Sequence, residues 1–243
     1  MKLLVTIPVY NEEKALPVSI PILHAFLREH MAAYDWMIEI ADNASIDRTP
    51  EVSRTLAKEY DRVRYLRLEQ KGRGRALKRS WTESDADIVS YMDVDLSTNL
   101  DSFPPMVHAL AHEGYDIGTG SRLMKGANTE RSVKREFISR SYNLMVKALF
   151  FTRFSDAQCG FKAVTRQVVD VLIPHIEDNV WFFDSELLII GEKCGYRIHD
   201  VPVKWIEDLD TRVKIVKTAV DDIKGLLRVR GNFWAGRYTG LKK

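Results

Sequence analysis

Four times before residue 98 the sequence repeats one rhythm: a short β-branched or apolar run, a polar turn, then a segment with helical spacing. Residues 3–9 read as a first strand, followed by the polar Tyr10-Asn11-Glu12-Glu13. Leu16, Ile20, Leu23 and Leu27 then recur near helical spacing to residue 30. Pro17 suits a first turn, and Pro21 is expected to kink or delay that helix. A second strand at 36–41 precedes a helix at 51–60, and a third at 63–66 precedes a helix from Gly72 to about Glu83. The fourth strand, 88–92, ends in Asp93-Val94-Asp95. Such alternation predicts an α/β chain with a mostly parallel sheet flanked by helices. Ligands of such sheets bind at the carboxyl edge, in the strand-to-helix loops. Here those loops are 8–12, 42–49, 72–76 and 93–98.

After the acidic pair the rhythm changes. Residues 103–113 read as a helix and 115–119 as a short strand running into Gly120-Ser121-Arg122. The polar, basic stretch 125–135 reads as a mobile loop, and 137–151 as an amphipathic helix with an apolar second half. Further helices are expected at 168–172 and from Trp181 through Cys194, with a last strand over 197–205. The tail from residue 212 is helical early and basic, with Asp221 and Asp222 its only acids.

Composition narrows the partners. In 243 residues, 45% hydrophobic, the chain has enough apolar matter for one large core. A net charge of +2 gives no global pull toward nucleic acid, and the aromatics at 181–183 do not interleave with the cations. No nucleic-acid partner is expected. Cys159 and Cys194 have no paired spacing and fit a reducing cytosol as free thiols. No run approaches the ~20 apolar residues of a membrane span.

Several residues are candidates for chemistry. Side chains at i and i+2 of a strand share a face, so Asp93 and Asp95 are placed to converge on a hard divalent cation, for which oxygen ligands are suited. Two carboxylates in a turn are the plainer alternative. Asp42, at the end of the second strand, suits a base or ribose, or equally an Asx-turn. Gly72-Arg73-Gly74-Arg75 puts glycines and cations at a helix start, where a diphosphate would sit. Arg122, Arg131, Lys134, Arg135 and Arg140 form a basic group suited either to phosphate or to a solvated loop. Asp184 follows three aromatics, so its carboxylate needs a partner, a role, or an N-cap position. In the tail, Lys214, Lys217, Lys224, Arg228 and Arg230 alternate with Val220, Ile223, Leu226 and Leu227. That pattern suits either a helix on an anionic membrane or one packed on the core.

Seven stretches in order resemble family 2 glycosyltransferases of the GT-A fold, and within them the polyprenyl-phosphate (dolichyl-phosphate) sugar synthases. They are Ile7-Pro8-Val9-Tyr10-Asn11-Glu12, Asp42-Asn43-Ala44-Ser45-Ile46-Asp47-Arg48-Thr49, Gly72-Arg73-Gly74-Arg75-Ala76-Leu77, Asp93-Val94-Asp95-Leu96-Ser97, Gly120-Ser121-Arg122, Asp156-Ala157-Gln158-Cys159-Gly160-Phe161-Lys162 and Phe183-Asp184-Ser185-Glu186-Leu187-Leu188. The resemblance implies a Rossmann-like GT-A catalytic domain over 1–210, with 1–98 binding the nucleotide sugar, 99–210 binding the acceptor, and 211–243 forming a basic helical tail. It implies that Pro8, Tyr10, Glu12, Asp42, Gly72, Arg75, Asp93, Val94 and Asp95 line the donor site. Asp93 and Asp95 would hold Mg²⁺ or Mn²⁺. Arg122 and Arg135 would receive the acceptor phosphate, with Gln158 and Asp184 beside them, and Asp95, Arg122 and Arg135 would be the residues nearest the chemistry.

The implied reaction is inverting transfer of a sugar from a nucleotide diphosphate to a polyprenyl phosphate. The implied setting is the cytoplasmic face of a membrane, reached peripherally or through a separate membrane protein. A phosphate nucleophile needs no general base, its second pKa being roughly 6. A hydroxyl acceptor would need one, and Asp156 or Asp184 would be placed to supply it. Transfer to a saccharide or glycolipid hydroxyl is therefore the alternative, and a non-catalytic nucleotide-sugar-binding protein a second. Asn43, Arg48 and Ser97 depart from the family's usual residues.

Overall fold

The computed structural model describes residues 1–130, 133–206 and 215–243, except the side chains at 130, 133–135, 206 and 215–217. The predicted strand–helix units are present as β1 (Lys2–Val9), α1 (Leu16–His30), β2 (Asp35–Asn43), α2 (Thr49–Glu59), β3 (Val63–Leu68), α3 (Arg73–Glu83), β4 (Ile88–Met92) and α4 (Phe103–His112). Pro21 sits inside α1 without ending it. The second half adds β5 (Ile117–Ser121), β6 (Asn128–Glu130), α5 (Val133–Phe150), β7 (Phe161–Thr165), α6 (Arg166–Val171), α7 (Phe183–Lys193), β8 (Ile198–Pro202), β9 (Lys204–Ile206) and α8 (Ile215–Trp234).

Seven strands form one sheet in the order β3-β2-β1-β4-β7-β5-β8. β1 pairs in parallel with β2 and β4, and β2 with β3, as the alternating pattern requires. β7 enters antiparallel between β4 and β5, so the sheet is mostly rather than wholly parallel. Side chains alternate between two cores. Leu3, Val5 and Ile7 pack under α1 and α4, while Leu4, Val89 and Tyr91 face the layer built by α3, α5 and α7.

Three expectations need correction. The stretch expected as a loop over 125–135 contains β6 and the start of α5. The single last strand is two: β8 joins the main sheet, whereas β9 pairs with β6 in a small ribbon. Pro202 lies at the break and Val203 crosses from one sheet to the other. Finally, β4 ends at Met92, so Asp93 and Asp95 stand in a turn and not on a strand face.

Candidate active site

At the carboxyl end of β4 the chain turns sharply. The Leu96 amide donates to the Asp93 carbonyl at 3.1 Å, Leu96 takes φ +50°, and the Ser97 amide donates to Asp95 Oδ1 at 2.9 Å. The turn, not strand alternation, presents the two carboxylates together. Asp93 is backed by Gly160, where a Cβ would lie 2.0 Å from Asp93 Oδ2, so only glycine leaves room for the carboxylate. Burial pushes the Asp93 carboxyl above the usual range. Arg73 pulls it back, while Asp95 and Asp184 add to the rise. Crowded negative charge of this kind is relieved by a bound cation. The donor set is two hard carboxylates, and no third His, Cys, Asp or Glu joins them among the described residues. Such a pair fits Mg²⁺ or Mn²⁺ that shares its remaining positions with diphosphate oxygens and water.

Behind the turn lies a buried ionic group absent from the sequence reading. Arg73, 12% exposed, reaches Asp93 Oδ1 at 3.4 Å with Nη2 and Asp184 Oδ2 at 3.2 Å with Nη1, and Nη2 donates to Tyr91 Oη at 2.8 Å. Its guanidinium also lies over the rings of Tyr91 and Trp181. Lys162, fully buried, stands 3.3 Å from Asp184 Oδ1 and donates to the Cys159 carbonyl at 2.6 Å. Tyr91 Oη donates to the same Asp184 oxygen. Asp184 is therefore the carboxylate with partners: it lies inside the first turn of α7 and caps nothing. The strand register explains the meeting, since Tyr91 and Lys162 are directly opposed across β4 and β7.

At the end of β5 Arg122 clamps Asp156 through Nε at 2.7 Å and Nη2 at 3.0 Å. Burial would raise the Asp156 carboxyl, but Arg122 overrides it and holds it down at about 2. The Arg122 guanidinium also lies over the Trp205 ring, 5.5 Å from its centre. Gln158 donates through Nε2 to Asp222 Oδ2 of α8 at 2.9 Å. Burial, Asp178 and Asp221 push Asp222 up to about 7. Burial likewise pushes the Cys159 thiol up to about 12, so it is no nucleophile. The side chains of Lys134 and Arg135, and the whole of Arg131, lie outside the described residues.

At the other end, Asp42 is fully buried and filled. It accepts from the Ser45 amide, Tyr65 Oη and Arg67 Nη1, each at 2.8 Å. Asp42 thus anchors the start of its loop through an amide three residues on, while the two-residue Asx pattern falls at Asp47, whose Oδ1 accepts from the Thr49 amide at 3.0 Å. Loops 10–13 and 45–49 are stitched together: the Asn11 amide donates to Ser45 Oγ and the Glu12 amide to Thr49 Oγ1. Lys71 Nζ sits 3.3 Å from the Tyr10 ring centre. Pro8 and Val94 are half-buried along the same edge.

The glycines at 72 and 74 let a distant segment approach closely. A Cβ on Gly72 would lie 2.5 Å from the Asn179 carbonyl oxygen, and one on Gly74 2.8 Å from Phe183 Cβ. The amides of Gly72, Gly74 and Arg75 are taken by Asn43 Oδ1, Val180 O and Asn179 O. The loop is closed against the 179–183 segment, and Arg75 turns back onto the Lys71 carbonyl. Arg73, the cation between the glycines, is the one that reaches the acidic turn. A lone Lys162 in an apolar strand and an Arg flanked by glycines were the visible signals for the missed pair.

The model of the family described as "Glycosyl transferase family 2" matches residues 4–173. Glycosyltransferase AglD of Haloferax volcanii is 34% identical over 91% of this chain, which spans only 35% of that relative's length. Dolichyl-phosphate beta-glucosyltransferases of Saccharomyces cerevisiae and Mus musculus are 25% and 28% identical, each over 98% of this chain and 77% of their own. Glucosyl-3-phosphoglycerate synthase of Mycobacterium tuberculosis, solved with Mn²⁺, uridine-diphosphate-glucose and phosphoglyceric acid, superposes with a TM-score of 0.70. It is 18% identical and covers 95% of this chain and 80% of its own, a likeness of fold.

Proposed function

The chain belongs to glycosyltransferase family 2, and on that premise we propose that it transfers a sugar from a nucleotide diphosphate, with uridine-diphosphate-glucose the first candidate, to a polyprenyl phosphate. Family membership removes the non-catalytic reading. The names of the aligned beta-glucosyltransferases support the lipid phosphate, and the Mn²⁺- and uridine-diphosphate-glucose-bound neighbour supports donor and metal.

One observation carries the choice of acceptor: the two carboxylates that would activate a hydroxyl are both engaged. Asp156 is clamped by Arg122 with its carboxyl at about 2, far too weak a base at neutral pH. Asp184 is shared among Arg73, Lys162 and Tyr91. A phosphate monoester, already largely dianionic, needs neither. Its oxygen attacks the anomeric carbon, the bond from that carbon to the diphosphate oxygen breaks, and the nucleoside diphosphate leaves with the electron pair. Attack from the face opposite the leaving group inverts the centre.

Asp93 and Asp95 would hold the divalent ion, which, when bound, neutralises charge on the leaving diphosphate. Arg73 and Gly160 fix the position of the Asp93 carboxylate. Arg122, through the N–H groups that the Asp156 clamp leaves over, and Arg135 on the strength of the sequence, would receive the acceptor phosphate. The Tyr10, Asp42 and Lys71 region accommodates the nucleoside. The free, buried Cys159 and Cys194 fit a reducing compartment and so the cytoplasmic face.

Incubation with radiolabelled nucleotide sugars, Mn²⁺ and a short-chain polyprenyl phosphate tests the reading. Lipid-linked sugar is the expected product, and its absence with every donor refutes it. A second reading, transfer to a saccharide hydroxyl, would need a base other than these two. Asp222, buried and accepting from Gln158 with its carboxyl raised to about 7, is the remaining carboxylate beside Gln158 among the described residues. Loss of saccharide-dependent turnover in Asp222→Asn would favour it.

A further inference from the structure

We propose that Asp200, on the edge strand β8, is a positioning residue for the transfer: through Ser155 and Ser121 it fixes the two segments that carry Asp156 and Arg122. The proposal rests on the reading of Arg122 as receiver of the acceptor phosphate. The hydrogen-bond chain itself stands on geometry.

Arg122 and Asp156 are each preceded by a serine. Ser121 is the last residue of β5, and Ser155 lies in the connection from α5 to β7. Their hydroxyl oxygens are 2.7 Å apart. Ser155 also meets Asp200 Oδ2 twice, through its amide at 2.8 Å and its Oγ at 2.7 Å. A hydroxyl has one proton to donate, and the carboxylate is the stronger acceptor. The proton between the two serines therefore comes from Ser121. Ser121 Oγ in turn accepts from the amides of Leu123 and Met124, each at 3.2 Å. One carboxylate oxygen thus heads a chain of bonds that holds the backbone on both sides of Arg122 and just before Asp156.

The clamp depends on that registration. Arg122 reaches Asp156 through Nε, Nη2 and its own amide, the last at 3.2 Å, across 34 residues of sequence. A planar guanidinium matches a carboxylate only in a narrow range of orientations. A shift of either segment would turn the N–H groups that the clamp leaves over, and with them the place offered to a phosphate.

Asp200 is a costly residue for a purely structural tie. It shares a strand face with Ile198, which packs against the core layer of α5 and α7. Its Oδ1 is buried and, among the described residues, takes no hydrogen bond. Burial pushes the carboxyl up, and the two bonds from Ser155 oppose the rise. A buried acceptor left unpaired lowers stability. What the charge adds here is the strength of the bonds to Ser155, and so rigidity beside the clamp.

Two measurements test it. One is hydrogen exchange of the Arg122 Nε–H by NMR, its signal identified by loss in Arg122→Lys. The other is steady-state turnover of a short-chain prenyl phosphate with Mn²⁺. Asp200→Ala is expected to speed the exchange and to raise KM for the prenyl phosphate, each by about tenfold, with kcat and nucleotide affinity near wild type. Asp200→Asn, whose carbonyl still accepts both bonds, should restore both values. Where Asp200→Ala does not fold, Ser155→Ala, which keeps the amide bond and cuts the link to Ser121, should move both in the same direction. Exchange as slow in these variants as in wild type would overturn the proposal. So would a fall in stability toward urea with KM unchanged, the mark of a structural tie alone. A wild type without prenyl-phosphate turnover would instead strike the proposed function, and the exchange result would still decide whether Asp200 holds the clamp.

Discussion

Gly160 and Asp93 meet so closely that any side chain on the first would occupy the space of the carboxylate on the second: the distance from a built Cβ to Oδ2 is 2.0 Å. Two segments far apart in sequence thus aim one carboxylate, the group proposed to hold the ion. The contact is with a side-chain end at the cleft and not with backbone, so a methyl here displaces the carboxylate more than it disturbs the fold. Gly160→Ala is expected to weaken Mn²⁺-dependent binding of a uridine diphosphate by about tenfold or more, the value of ~1.4 kcal/mol. Titration calorimetry with and without Mn²⁺ would show it. Equal affinity in variant and wild type would mean that Asp93 does not hold the ion.

Arg73 joins Asp93 to Asp184 and is nearly buried, so its removal strands acidic charge in the interior. Breaking a buried pair by removing one partner costs about 3–5 kcal/mol. Lys162 still neutralises Asp184, so Arg73→Met should sit at the low end, about 3 kcal/mol less stable by urea denaturation. The pH dependence of that loss is diagnostic: without Arg73 the Asp93 carboxyl rises further, and metal binding should require higher pH. An unchanged stability would show that the cluster contributes nothing to the fold.

How much of this was legible in the sequence depends on whether the signal is local. The four strand–helix units were, because period and turn chemistry are written within a dozen residues. So was the acidic turn, although its geometry was misassigned to a strand: Met92 ends β4, and Leu96 reverses the backbone by a positive φ that an apolar residue does not advertise. The antiparallel insertion of β7 was not legible, since pairing partners are set by the long α5 connection. With β7 went Lys162, whose role exists only opposite Tyr91. The glycines at 72 and 74 were seen as glycines, but the segment they make room for lies more than a hundred residues later.

Removal of the divalent ion separates site from scaffold. Asp95 is exposed and, among the described residues, its side chain accepts from the Ser97 amide alone, so Asp95→Asn should leave the stability within about 0.5 kcal/mol of wild type, as surface substitutions usually do. Turnover should fall by at least about a hundredfold, the order expected when charge stabilisation of a leaving group is lost. Chelation should do the same to wild type, with Mn²⁺ restoring it. Full activity of the variant in chelator would refute the metal assignment.

Asp222 and Asp156 titrate in opposite senses, and this fixes the shape of the stability curve. Asp156 is held at about 2, below its unfolded value near 3.9, so its contribution is complete above pH ~4 and is lost as pH falls toward 2. Asp222 is raised to about 7. Between its unfolded value and 7 the folded chain binds the extra proton, so stability falls as pH rises from ~4 to ~7, by at most about 1.4 kcal/mol per unit. Asn at 222 still accepts from Gln158 through its carbonyl and carries no charge. Asp222→Asn should therefore match the wild type near pH 4, exceed it at pH 8, and lose the slope between. Denaturant melts across that range would decide it, and a variant as pH-sensitive as the wild type between 4 and 7 would place the titrating group elsewhere.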